Sequence, residues 1–276
     1  MSFITVGTEN STSINLHYED HGSGRPVVLI HGWPLSGASW EKQVRALLAA
    51  GHRVITYDRR GFGRSSQPAF GYHYDTFAAD LDALLTTLDL EDVVLAGFSM
   101  GGGEVARYLG TYGSKRVRKA VFLGAITPAL GKSADNPDAV DGAVFAGIQQ
   151  GLMADRPAFL AGFLQNFYNV DALGGSRISD EAVRVSWNVA VGASPIGTIE
   201  CVAAWGTDFR ADLRKITAPT LVIHGDADRI VPLAVSGGRM HEFVAGSRLV
   251  TLPGAPHGFT WTHAEETNRE FLQFIA

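Results

Sequence analysis

The chain has 276 residues, 46% hydrophobic and 18% charged, with a net charge of −5 and one cysteine, Cys201. That length suits one large core with room for an insertion, and the acidic balance argues against nucleic acid or an anionic membrane surface as partner. A lone cysteine cannot form an internal disulfide, which suits a reducing compartment.

The first residues, MSFITVGTENSTS, lack a basic start and an apolar run of signal-peptide length. No window reaches the ~18 apolar residues of a membrane span, so a cytoplasmic protein is expected. SINLHYED (13–20) alternates polar and apolar residues, as an antiparallel strand near a sheet edge would. PVVLIHG (26–32), HRVITYD (52–58), DVVLAG (92–97), KAVFLGA (119–125), PTLVIHG (219–225) and SRLVTLP (247–253) are short apolar runs that predict buried strands. Between them, 39–50, 75–88 and 103–113 carry helical spacing, as does the C-terminal segment from Ala264. Ser39 and Asp75 are expected N-caps. This alternation predicts an α/β fold, a mostly parallel central sheet flanked by helices.

The strand–helix rhythm stops near Thr127 and resumes near Ala218. The expected division is therefore a core of 1–126 and 218–276 with a helical cap of 127–217. The intervening stretch holds Phe145, Phe159, Phe163, Phe167, Tyr168, Trp187 and Trp205. As a cap it would close the C-terminal edge of the sheet, where open α/β sheets place ligands, with Pro34, Phe145, Phe163 and Trp205 as pocket candidates. The alternative is a peripheral helical layer whose aromatics serve packing.

GFSMGGG (97–103) places four glycines in seven positions around one serine. With a strand before it and a helix after it, this is a Gly-x-Ser-x-Gly nucleophile elbow, a tight turn that lifts Ser99 Oγ above the sheet edge. Gly97 and Gly101 are expected where a Cβ would strike the neighbouring strand or helix. A glycine-rich turn with an idle serine is the alternative.

A serine nucleophile needs a base, and the base needs an orienting acid. His257, in LPGAPHGF, follows the last predicted strand on a loop at the C-terminal edge, and is favoured over the other histidines. His224 lies inside a strand; His17, His52 and His241 lie away from that rim; His263 is expected at the surface or as a helix cap. HGDADRIVP offers Asp226 and Asp228 as the acid. Asp226 is placed to cap its own turn, which favours Asp228. The oxyanion donors would be the N–H groups of Met100 and Trp33, the latter on the loop after the first parallel strand. Pro34 has no N–H; it could fix the loop and turn the Trp33 carbonyl into the pocket, or the pair could be only a rigid turn.

RRGFGRSS (59–66) lacks the remainder of a phosphate-binding fingerprint and is expected to be a structural turn with Asp58 and an arginine pairing nearby. HEFVA (241–245) has alanine where a zinc-binding helix needs its second histidine, so no metal or other cofactor is expected.

VVLIHGWPLSGASWE, VITYDRRGFGRSSQP, YDTFAADL, GFSMGGGEVARY, TLVIHGDAD and GAPHGFTWTHAEE together resemble the α/β-hydrolases over nearly the whole chain. More narrowly, the chain is similar to the cofactor-free bacterial haloperoxidases, or perhydrolases, with their esterase and γ-lactamase relatives. That resemblance implies Ser99 as nucleophile, Asp228 as acid, His257 as base, Trp33 and Met100 as oxyanion donors, and a homo-oligomer. The expected reactants are a small ester, lactam or carboxylic acid with water or hydrogen peroxide. The cap segment NFYNVDALGGSRIS is closest to the lactamase-like members, which keeps an amidase open. A third reading is a non-catalytic ligand receptor on the same scaffold.

Overall fold

Side chains of successive strand residues face opposite sides of a sheet, so a strand covered on both faces must be apolar throughout. The runs 27–30 and 93–96 meet that condition and are fully buried. In the computed structural model, which describes residues 2–276, they form the middle of one eight-stranded sheet.

The chain runs β1 (Ser2–Glu9), β2 (Thr12–His21), β3 (Pro26–Ile30), α1 (Glu41–Ala49), β4 (Arg53–Tyr57), α2 (Tyr74–Thr87), β5 (Val93–Phe98), α3 (Met100–Tyr112) and β6 (Val117–Leu123). Helices α4 (Gly142–Phe167), α5 (Val170–Leu173), α6 (Asp180–Val191), α7 (Pro195–Ala204) and α8 (Arg210–Leu213) follow. The chain closes with β7 (Thr220–Gly225), β8 (Arg248–Leu252), α9 (Phe259–Thr262) and α10 (Ala264–Ile275). The strand order is β1-β2-β4-β3-β5-β6-β7-β8. β2 pairs antiparallel with both β1 and β4, and the pairs from β4 through β8 are parallel.

Val28, Ile30 and Leu95 face one apolar cluster; Val27, Leu29, Val94 and Ala96 face the other. Strand order reverses between β3 and β5, because β4 lies on one side of β3 and β5 on the other. At such a switch point the two following loops diverge and leave a crevice at the C-terminal ends of the strands. The loop carrying Trp33 and the turn carrying Ser99 both leave the sheet there.

SINLHYED lies in β2, antiparallel and next to the sheet edge as expected; the edge itself is β1. Neither Ser39 nor Asp75 is an N-cap. Ser36 caps the short 3-10 turn Gly37–Trp40 by accepting from Ala38 N, and α1 follows from Trp40 without a side-chain cap. Asp75 sits inside the first turn of α2, whose cap residue is His73. His263 is buried rather than at the surface. It stands at the N-cap position of α10, with its ring bonded to Thr262 Oγ1 instead of a helix N–H.

Helix α4 breaks at Asp155 (φ −155°, ψ 88°), two residues before Pro157. Proline cannot donate to the turn before it; Asp155 Oδ1 instead accepts from Ala158 N at 3.0 Å and restarts the helix. Among the described residues, no helix is long and apolar enough to cross a membrane.

Candidate active site

Ser99 ends the turn between β5 and α3 with φ 54° and ψ −119°, a left-handed conformation costly for a residue with a Cβ. Three backbone bonds hold it there: Ser99 N donates to Leu123 O at 2.8 Å, and Ser99 O accepts from Gly102 N at 3.0 Å and from Ile126 N at 3.4 Å. The tightness of the elbow rests on two glycines. A Cβ on Gly97 would overlap the Gly101 carbonyl, and one on Gly101 would overlap the Ile30 carbonyl of β3. The helix can therefore start directly against the strand, with the serine hydroxyl above both.

His257 comes from the loop after β8. Its Nε2 lies 2.8 Å from Ser99 Oγ and its Nδ1 lies 2.6 Å from Asp228 Oδ2. A carboxylate only accepts, so Nδ1 carries the proton and Nε2 is free to take one from the serine. The ring centroids of Phe98 and Phe167 each lie 5.0 Å from that of His257, and the imidazole is fully buried. Asp228 Oδ1 accepts from Ile230 N and Val231 N, both at 2.8 Å. Burial alone would raise the Asp228 carboxyl. The charge of His257 and hydrogen bonds from His224 and His257 outweigh it and hold the group well below the usual carboxylate range. Asp226, the other acid considered, does not cap its own turn: its Oδ1 accepts from Gly254 N at 2.6 Å and ties down the start of the His257 loop.

The inserted helices brace both of these loops. Phe167 O, at the end of α4, accepts from Gly258 N at 2.7 Å. Asn169 Nδ2 donates to Ala227 O at 2.9 Å, and Arg229 pairs with Asp171 of α5 at 2.8 Å.

Met100 opens α3, so its N–H is one of those with no intrahelical acceptor. Trp33 N–H likewise has no acceptor among the described residues. A cavity of about 140 Å³ adjoins Ser99. Of the pocket candidates, Phe145, Phe163 and Trp205 line it, together with Trp33. So do Ile126, Leu130, Val140, Val144, Ile148, Arg229, Ile230 and Val231, which the sequence reading missed. Pro34 is not among the lining residues. The loop turns back at Leu35, whose N–H bonds Gly32 O, and Pro34 is buried while Trp33 faces the cavity. The indole N–H of Trp33 donates to Thr198 O of α7 at 3.0 Å, fixing the ring across the junction between sheet and inserted helices.

Behind the elbow lies a buried charge network. Arg59 is 1% exposed and Glu104 0%. Arg59 Nε donates to Glu104 Oε2 at 2.7 Å and its Nη2 to His31 O at 2.9 Å, and Tyr57 OH donates to Glu104 Oε1. Burial pushes the Glu104 carboxyl up, with Arg59 pulling it back. Arg60 pairs with Asp80 at 2.7 Å. Among the described residues Asp58 has no arginine side chain as partner, contrary to expectation; it accepts from Gly37 N and Arg64 N and lies 3.4 Å from His17. Among the described residues, no group of His, Cys, Asp and Glu is arranged to hold a metal ion.

The sequence pattern of the alpha/beta hydrolase fold family matches residues 25–264. A protein of Synechocystis named for non-heme chloroperoxidase activity is 58% identical over 275 residues, covering 100% of both chains. A bifunctional esterase/perhydrolase of Acinetobacter calcoaceticus is 36% identical over 279 residues, covering 100% of this chain and 99% of its own. Among solved structures, a bromoperoxidase from Bacillus anthracis superposes with a TM-score of 0.95 at 50% identity, covering 99% of each chain.

Proposed function

The chain belongs to the alpha/beta hydrolase family, and from that premise we propose that it is a serine-dependent esterase with cofactor-free perhydrolase and haloperoxidase activity. The observation that carries this reading is the single imidazole of His257, within hydrogen-bond distance of both Ser99 Oγ and Asp228. Ser99 Oγ attacks the carbonyl carbon while His257 Nε2 takes its proton. Asp228 stabilises the imidazolium, and the N–H groups of Met100 and Trp33 receive the oxyanion. The protonated imidazole passes its proton to the departing alcohol, or to the departing hydroxyl when a carboxylic acid is the donor. An acyl-enzyme remains. Water then releases the carboxylic acid, or hydrogen peroxide releases the peracid. The peracid transfers its terminal OH to halide, giving hypohalous acid and the parent carboxylate. One relative's name pairs esterase with perhydrolase and another's is for a non-heme chloroperoxidase, which supports these activities occurring on one scaffold. The inserted helices act as a cap, supplying much of the apolar wall that would receive the acyl group.

The test is one substrate panel on the purified protein: p-nitrophenyl acetate, a bicyclic γ-lactam, and acetate with peroxide and bromide. Ester hydrolysis together with carboxylate-dependent bromide oxidation is expected. Bromide oxidation that proceeds equally without any carboxylic acid overturns the peracid route, and lactam turnover exceeding ester turnover reassigns the substrate.

Perhydrolysis and hydrolysis differ only in what meets the acyl-enzyme, so favouring peroxide over water at roughly 55 M needs a group that recognises the second oxygen. The Trp33 carbonyl is a candidate acceptor for the peroxide O–H, held by the restriction that proline places on itself and on the residue before it. Pro34→Leu is expected to raise the barrier to peracid formation by about 1–2 kcal/mol, the worth of one hydrogen bond, with ester hydrolysis changing much less. The ratio of the two rates at fixed peroxide measures it. An equal fall in both would mean that Pro34 only supports the loop.

A further inference from the structure

We infer that His224 is a positioning residue for the acid of the triad, a second imidazole that fixes Asp228 in register with His257; this deepens the triad reading and rests on it. His224 is the penultimate residue of β7 and is fully buried. Its Nε2 lies 2.9 Å from Val231 O and 3.3 Å from Asp228 Oδ2. A carbonyl oxygen only accepts, so the proton of His224 is on Nε2. That proton sits between the carbonyl and the carboxylate oxygen that also receives His257 Nδ1.

An ionised carboxylate offers about four lone-pair sites. At Asp228 three of them take hydrogen bonds, from Ile230 N and Val231 N on Oδ1 and from His257 on Oδ2, and His224 Nε2 lies beside the fourth at 3.3 Å. In this orientation each oxygen of the group has nitrogens on both sides. His224 also anchors Val231 O, so the turn that supplies two of the donors is held from the strand below.

The other end of the ring argues against packing as the reason for a histidine here. His224 Nδ1 is buried and has no partner among the described residues. It lies against Gly237, where a Cβ would stand 2.5 Å from it. A buried acceptor without a donor is destabilising, and an apolar ring of similar shape would avoid that cost. What such a ring could not supply is the Nε2 proton at Asp228. Neighbouring charged groups do not substitute for it: the Arg229 guanidinium is paired with Asp171, and Asp226 is engaged with Gly254 N. The groups packed on His257 from β5 and α4 are the rings of Phe98 and Phe167.

Two variants and one spectrum test this. His224→Phe removes the donor, while His224→Gln keeps an N–H at the same reach. For ester hydrolysis His224→Phe is expected to lower kcat about tenfold, the effect of losing one hydrogen bond to a charged group, with KM within about twofold. Its acid limb of kcat/KM moves to higher pH, because a carboxylate relieved of one donor stabilises the His257 imidazolium more. His224→Gln restores most of kcat and the position of the limb. A Phe variant indistinguishable from the unmodified protein, or Phe and Gln variants equally impaired with an unmoved pH profile, overturns the inference. If His224→Phe does not fold, ¹⁵N NMR of histidine-labelled unmodified protein decides: the Nε2–H tautomer at His224 supports the assignment and the Nδ1–H tautomer refutes it. An active Ser99→Ala variant would remove the triad reading without altering that tautomer, so the two failures are distinguishable.

Discussion

Ser99→Ala is expected to lower turnover of p-nitrophenyl acetate by about 10⁴–10⁶-fold, the loss typical of removing a member of a triad that works as a unit. The hydroxyl of Ser99 is the one nucleophile placed 2.8 Å from His257 Nε2. With alanine at 99 the elbow keeps its backbone and the cavity its walls, so the loss should fall on kcat with KM little changed. Residual catalysis above the uncatalysed rate is expected, because the Trp33 and Met100 N–H groups still polarise a bound carbonyl. Steady-state kinetics on the alanine variant, checked for the same thermal transition as the unmodified protein, is the measurement. A variant that keeps more than a few per cent of kcat would move the nucleophile elsewhere.

The second large effect is on stability. Glu104→Ala is expected to destabilise the fold by about 3–5 kcal/mol, because it leaves a guanidinium buried without its counter-charge. Arg59 already carries a buried Nη1 with no partner, so it has little else to turn to. Its remaining bond, to His31 O, lies directly before the loop of Trp33, while Glu104 lies on the helix that begins at Met100. The pair thus joins the two segments that carry the proposed oxyanion donors, Trp33 and Met100. Urea unfolding of the variant measures the loss. Replacing both partners by apolar residues, Arg59→Met with Glu104→Leu, should cost much less than the single change, since no charge is then stranded. Equal losses in the single and double variants would mean that volume, rather than charge, is what the site requires.

The sheet was legible because its central strands are covered on both faces and therefore read as unbroken apolar runs. The elbow was legible because the geometry at Ser99 can be built only with glycine at 97 and 101. His257 and Asp228 followed from chain order and from the loops on which they lie. Other features left no local signal. β1 is an exposed edge whose residues pair on one side only, and its mixed composition resembles a loop. The pairing of Arg59 and Arg60 left no local signal because their partners, Glu104 and Asp80, are separated from them by 45 and 20 residues. Ser36 and Ser39 have equal capping chemistry, and backbone geometry alone chose between them. His224 reads as an ordinary strand residue until the turn after β7 brings Asp228 back over it. The aliphatic walls of the cavity are ordinary core residues in sequence, brought together by the way the inserted helices meet the sheet.

Under the proposed function, ester hydrolysis and halide oxidation pass through one acyl-enzyme at Ser99. A fluorophosphonate that phosphonylates the nucleophilic serine tests it most directly, with mass spectrometry to locate the adduct and both activities followed during labelling. One adduct per chain on Ser99, with esterase and carboxylate-dependent bromide oxidation disappearing in parallel, is the expected result. Bromide oxidation that persists in fully labelled protein, or an adduct on a different residue accompanying the loss, would contradict it.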